Sequence, residues 1–173
     1  MAGCRRDVGE GPNGGDLIGP NPTDRAKNGT KKSLLVERDG GPLGMVIAAA
    51  NVNDITLLAA TLDAVIVERP QPAPDAVQHL CLDRGYASAT GRTVAAARNY
   101  ELHLPHGTDE AHEALHPARR WVVERTLAWL SKCRALLIRW DKHSGNYLTL
   151  LQLACALLWY RRCYRLHSSE IVT

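Results

Sequence analysis

The segment from His79 to Leu104 constrains the fold more than any other part of the chain. His79-Leu80-Cys81-Leu82 reads as a short, buried-type strand that ends at Asp83-Arg84-Gly85-Tyr86. A helix over about residues 88–98 and a second strand, Tyr100 to Leu104, follow. A strand, a helix and a strand at this spacing make a crossover unit, whose two strands run parallel and need helices packed on the sheet. The class expected is therefore α/β.

The stretch upstream fits the same sheet. Ser33 to Glu37 reads as a strand, Asp39-Gly40-Gly41 as a hairpin turn, and Leu43 to Ala48 as the returning strand. Such a turn demands positive φ, which glycine supplies. Leu57, Leu58, Thr61, Leu62 and Val65 then recur at helical spacing behind Asp54, a suitable N-cap. Pro70, Pro72 and Pro74 make Glu68 to Ala76 an extended linker. Residues 105–117 read as a polar loop with His106, His112 and His116. Two helices are expected to close the chain, from about Ala118 to Trp140 and from about Asn146 to Tyr164, with a break at His143-Ser144-Gly145.

Residues 1–30 hold seven of the 14 glycines together with Pro12, Pro20 and Pro22. They read as a loop or a flexible arm. The expected organisation is this arm, an ordered region over 31–165, and a short tail over 166–173. At 173 residues the chain is one domain by length. Phe is absent, so Leu, Val, Ala and the four Trp must fill the core, with Trp121, Trp129 and Trp140 expected in core or inter-helix packing. The longest apolar run, Tyr147 to Tyr160, contains Gln152 and is too short for a membrane span. The N-terminus has no apolar signal-like stretch. Five scattered cysteines without CxxC spacing argue against a disulfide scaffold or a zinc cluster, so a cytoplasmic location is expected.

The net charge of +3 hides an asymmetry. Residues 118–165 hold ten basic and two acidic residues, a local +8, while the remainder carries −5. A basic half on an acidic body points to a polyanion, most simply nucleic acid, or else to a solvated helix face. Two carboxylates stand out. Asp83 sits at the C-terminal end of a parallel strand, where ligand and metal sites of open α/β sheets gather, although an Asp there can also merely cap the next helix. Glu124 lies on the basic helix with Arg120 four residues before it, either a metal-holding carboxylate among phosphate-holding cations or a simple helix pair.

Several longer runs carry a family resemblance. They are Gly19-Pro20-Asn21-Pro22-Thr23-Asp24-Arg25, Gly29 to Leu35, Pro42-Leu43-Gly44, Ala50 to Asp54, Cys81 to Tyr86, and Ala118 to Thr126 continuing through Trp129, Arg139-Trp140, Asn146-Tyr147-Leu148 and Leu153 to Leu157. In these the chain resembles bacterial insertion-sequence transposases of the DDE class, over about residues 14–162. The resemblance implies a ribonuclease-H-like mixed sheet with flanking helices. It implies two Asp and one Glu holding two divalent ions, Mg²⁺ or Mn²⁺, for DNA hydrolysis and strand transfer. Asp83 matches the second Asp and Glu124 the Glu, so these two are the candidate catalytic and metal-binding residues. Arg119, Arg120, Arg125, Lys132 and Arg134 are the candidate DNA-binding set. The partners implied are insertion-sequence ends and target DNA, with a second copy or a full-length transposase, in the cytoplasm at the nucleoid.

The chain departs from the family pattern in three places. Pro117 stands seven before Glu124 where the motif has Tyr, and Ser131 seven after it where the motif has Lys. The first Asp falls near Arg5, where neither the motif nor strand character is present, and Asp7 is the nearest acid. The expectation is a C-terminal part of a transposase whose first central strand is missing or replaced, its neighbours' edges left unpaired, and which is inactive alone. A non-catalytic DNA- or transposase-binding remnant, or a pseudogene product, is the alternative.

Overall fold

The computed structural model describes residues 2–70, 73, 77–104 and 120–170. The polar loop over 105–117, Arg119 and much of the proline linker lie outside them. Among the described residues the sheet has six strands: β1 (Ala2–Glu10), β2 (Gly19–Pro20), β3 (Asn28–Val36), β4 (Pro42–Ala49), β5 (Gln78–Cys81) and β6 (Tyr100–His103). Its helices are α1 (Asp54–Asp63), α2 (Ala89–Ala96), α3 (Arg120–Ser131), α4 (Arg134–Leu137) and α5 (Ser144–Glu170). β1 lies between β3 and β5; β4 and the short β2 also pair with β3, and β6 pairs with β5. The pairs β1–β3 and β3–β4 are antiparallel, while β1–β5 and β5–β6 are parallel. This is the mixed sheet with flanking helices that a ribonuclease-H-like fold calls for.

The expected hairpin and crossover unit form as read. Gly40 turns the β3–β4 hairpin at φ +94°, with the Glu37 amide donating to the Gly41 carbonyl at 2.9 Å. The N-cap of α1 is Asn53 rather than Asp54; its side chain accepts from the Ile55 amide at 3.2 Å. Asp54, one residue inside, instead pairs with the buried Lys31 at 2.7 Å.

The N-terminal expectation needs correcting. The first central strand is not missing, and residues 1–30 are not all loop: β1 sits in the middle of the sheet, and β3 begins at Asn28. β1 pairs with β3 from Gly3↔Val36 to Glu10↔Gly29, and with β5 at Ala2↔Leu80 and Gly3↔Cys81. Its glycines and charges disfavour a strand locally, but β3 pairs with it along nearly its whole length and β5 with its first two residues, and that tertiary term wins.

Side chains alternate along β3, so it feeds two cores, and β1 adds Cys4 to one of them. Leu35 and Cys4 join Leu58, Leu62, Leu80, Leu82, Tyr86 and Ala95 beneath α1 and α2. Leu34 and Val36 join Val122, Val123, Leu127, Leu130, Leu136, Tyr147 and Leu151 beneath α3, α4 and α5. Burial on both faces is why Ser33-Leu34-Leu35-Val36 reads as a continuous rather than an alternating apolar run.

The single helix expected over 118–140 is two, broken at Lys132-Cys133. The break lets the chain turn back to the sheet, where Ile138 bridges to Glu10 and the Arg139 amide donates to the Glu10 carbonyl at 2.7 Å. The last helix runs on to Glu170, past the boundary expected for a tail. Two tryptophans are not core residues. The buried stripe of α3 is 122, 123, 126, 127 and 130, which turns Trp121 outward, and Trp140 faces solvent beside the buried Arg139. Trp129 is half-buried and packs on the core as expected.

Candidate functional site

Asp83 directly follows β5. The strand is still extended there, and the Leu82 amide donates to the His103 carbonyl of β6 at 3.0 Å. Leu80 and Leu82 point into the α1–α2 core, so alternation puts His79, Cys81 and Asp83 on the other face, the one α3 covers. The half-buried Asp83 carboxylate accepts from the Arg84 amide at 2.8 Å and caps a single 3₁₀ turn, Arg84–Tyr86. That capping role is real.

Glu124 is half-buried in the first turns of α3. The residue before it, Val123, is seated over Gly3 of β1: a Cβ on Gly3 would meet the Val123 Cβ at 4.0 Å and the Cys81 carbonyl oxygen at 3.9 Å. So the α3 segment that carries Glu124 and the β5 end that carries Asp83 meet on one sheet face beside Gly3.

The third acid differs. Continuing the parallel register Gly3↔Cys81 by two residues sets Arg5 level with Asp83. Asp7 lies two residues further along β1. Its carboxylate is 2.7 Å from the ammonium of Lys32, its cross-strand partner, which is 2% exposed. Ser131 Oγ donates to the same carboxylate at 3.4 Å. The structure therefore removes one objection to Asp7, its supposed lack of an ordered strand, and supplies another: it is the counter-ion of a buried lysine.

The basic residues separate into three groups. Arg119 lies outside the described residues, and Arg120 opens α3. Lys132 and Arg134 are exposed at the α3–α4 break. Arg125 donates to the Asp39 carbonyl at 2.6 Å and lies 4.8 Å over the Trp121 ring, so it ties α3 to the β3–β4 turn. Beside that turn, Arg125, Arg161, Arg162 and Arg165 line a cleft of about 510 Å³ with Trp129 and Trp159. Arg162 is partly spent there, 2.6 Å from Glu37. Burial alone would raise the Glu37 pKa, but the amides of Asp39 and Gly41 and the Arg162 guanidinium outweigh it and hold the carboxyl below its usual value. Arg161 and Arg165 stay exposed.

This arginine cleft was not singled out from sequence. Its signal was the i, i+4 pair Arg161 and Arg165 on an apolar helix, visible only once the turn is known to pack there. Arg139, by contrast, contributes nothing to a basic surface. It is fully buried, donating to Thr30 Oγ1 at 2.7 Å and to the carbonyls of Asp141 and Lys142, and burial lowers its pKa. No helix among the described residues is long and apolar enough to cross a membrane.

Comparison with known proteins gives the family. The family model described as "Transposase DDE domain" matches residues 17–159. A protein of Burkholderia cepacia described as "Putative transposase for insertion sequence element IS402" is 36% identical over 156 residues, which cover 87% of this chain and 72% of that protein. Transposases of the DDE class use a divalent metal. The mixed sheet, the carboxylate at the end of β5 and the matched span lead to one conclusion: the chain belongs to the transposase DDE-domain family.

Proposed function

We propose that this chain binds DNA through its basic C-terminal helices, holds one divalent ion at Asp83 and Glu124, and does not cleave DNA by itself. It would act in the cytoplasm, at insertion-sequence ends or target DNA, beside a second copy or a full-length transposase. One observation carries the reading. Asp83 lies on the sheet face that α3 covers, and the β1–β5 ladder of Ala2↔Leu80 and Gly3↔Cys81, extended by two residues, meets Arg5 rather than an acid.

The chemistry makes the missing acid decisive. A two-metal site clamps the attacking and leaving oxygens of a phosphodiester between ions about 3.5–4 Å apart. Asp83 and Glu124 would supply the one or two carboxylates that a Mg²⁺-class ion takes, with water and phosphate oxygens completing its shell. A divalent ion held there would supply Lewis-acid polarisation of a phosphodiester. The pair alone does not fit two ions. Arg5 brings no carboxylate to the central strand, and Lys32 keeps Asp7 engaged.

A plasmid-nicking assay with Mg²⁺ or Mn²⁺, run beside a gel shift, tests the proposal. The expected result is a salt-sensitive shift with no metal-dependent nicking. Arg5→Asp, which supplies a third carboxylate, is expected to tighten Mn²⁺ binding about tenfold. Nicking by the unmodified chain that is lost on Asp7→Ala would overturn the proposal and make Asp7 the third catalytic acid.

A further inference from the structure

A second group of metal-ligating side chains lies on the β5–β6 edge, apart from the Asp83–Glu124 pair. His79 and Glu101 are cross-strand partners, and His103 pairs with Cys81 two residues along. His79 Nδ1 and His103 Nε2 approach to 2.8 Å, and Glu101 Oε2 is 3.5 Å from the same Nδ1. One donor atom from each residue falls within 4.8 Å of the others. Parallel register fixes this convergence: His79, Cys81, Glu101 and His103 share the face opposite Leu80, whose side chain is buried beneath α1 and α2. His79 and His103 are half-buried, while Glu101 is exposed at the sheet rim.

We infer that His79, Glu101 and His103 form a site for a zinc-class divalent cation. Two imidazoles and one carboxylate are the donor set of three-ligand zinc sites, with a fourth position left to water. Imidazole suits Zn²⁺, Co²⁺ or Ni²⁺, whereas Mg²⁺ prefers oxygen, so this site and the Asp83–Glu124 pair select different metals. With metal–nitrogen bonds of about 2.0–2.1 Å, tetrahedral ligand atoms sit about 3.3 Å apart. The two ring nitrogens need only separate by about half an ångström to admit the ion, a change within rotamer freedom at a sheet edge. Metal binding displaces the proton that the two nitrogens share in their hydrogen bond, so binding releases a proton. The bound ion would cross-link the edge strand β6 to β5 four residues before Asp83, steadying the strand that presents it.

The test is a Zn²⁺ titration of the full, untagged chain by calorimetry, with Co²⁺ substitution read by visible absorption. One ion per chain is expected, with four-coordinate d–d bands and no thiolate charge-transfer band. His103→Gln and Glu101→Gln, both conservative in shape, are each expected to weaken binding at least tenfold. Circular dichroism of each variant separates this loss from misfolding. Asp83→Asn combined with Glu124→Gln should leave Zn²⁺ affinity unchanged. A thiolate band, an affinity insensitive to His103→Gln, or loss of binding in the Asp83/Glu124 variant would overturn the assignment.

Discussion

Lys32 and Asp7 are the clearest case in which one residue pair decides between structure and chemistry. Lys32 is 2% exposed and its ammonium meets Asp7 at 2.7 Å. Breaking a buried pair from one side costs about 3–5 kcal/mol because the remaining charge stays buried and unpaired. Asp7 is 35% exposed, so water relieves part of that penalty. Asp7→Asn is expected to destabilise the chain by about 1–3 kcal/mol in urea denaturation, a reduced figure for this partly solvated pair. Asp7→Ala with Lys32→Met should recover most of the loss, since no charge is then stranded. If Asp7→Asn instead left stability unchanged while altering metal binding, Asp7 would belong to the metal site. The pair was not legible in sequence. Lys31 and Lys32 look like a surface dipeptide, yet alternation sends one into each core, where Asp54 and Asp7 meet them.

At the scale of elements, the crossover unit and the hairpin were readable because their signals are local: apolar runs of strand length, a glycine turn, and a helix between two strands. β1 was not. Its sequence, AGCRRDVGE, has the composition of a loop, and its strand state comes from neighbours distant in the chain. Nor was the break at Lys132-Cys133, because only the buried position of Arg139 demands it. Asp83 and Glu124 were picked out from the flanking motifs; that α3 and the end of β5 meet on one sheet face needed the packing at Gly3.

β1 also makes the fold sensitive to alkali. Cys4 is buried under α1, and burial pushes its thiol up to about 11, against weaker lowering by Ser33 and Tyr86. A folded-state pKa above the unfolded value of 9.0 means that the native chain holds its proton longer than the unfolded chain. That contribution is intact below pH 9 and is lost as pH rises toward 11. Unfolding free energy should therefore fall across this window, and Cys4→Ala should flatten the slope while costing some packing. A slope unchanged by Cys4→Ala would place the alkaline sensitivity elsewhere.

For the whole molecule, the +8 of residues 118–165 overstates the surface available to a polyanion. Arg139 is interior, Arg125 holds the β3–β4 turn, and Arg162 is paired with Glu37. Among the described residues the exposed cations include Lys142 and two groups of two: Lys132 and Arg134 at the α3–α4 break, and Arg161 and Arg165 beside the tryptophan-lined cleft. Both groups sit on helices packed against the face that also carries Asp83, so a duplex running past the site could touch either. Each phosphate contact contributes about 0.9 to the slope of log K against log salt. Lys132→Ala with Arg134→Ala, and separately Arg161→Ala with Arg165→Ala, should each lower DNA affinity evenly across sequences. Each pair should reduce the magnitude of that slope by about 2 if both residues touch phosphate. Gel shifts at several salt concentrations measure both quantities. A pair whose removal changes neither the affinity nor the slope is a solvated helix face, and the DNA path then runs along the other group.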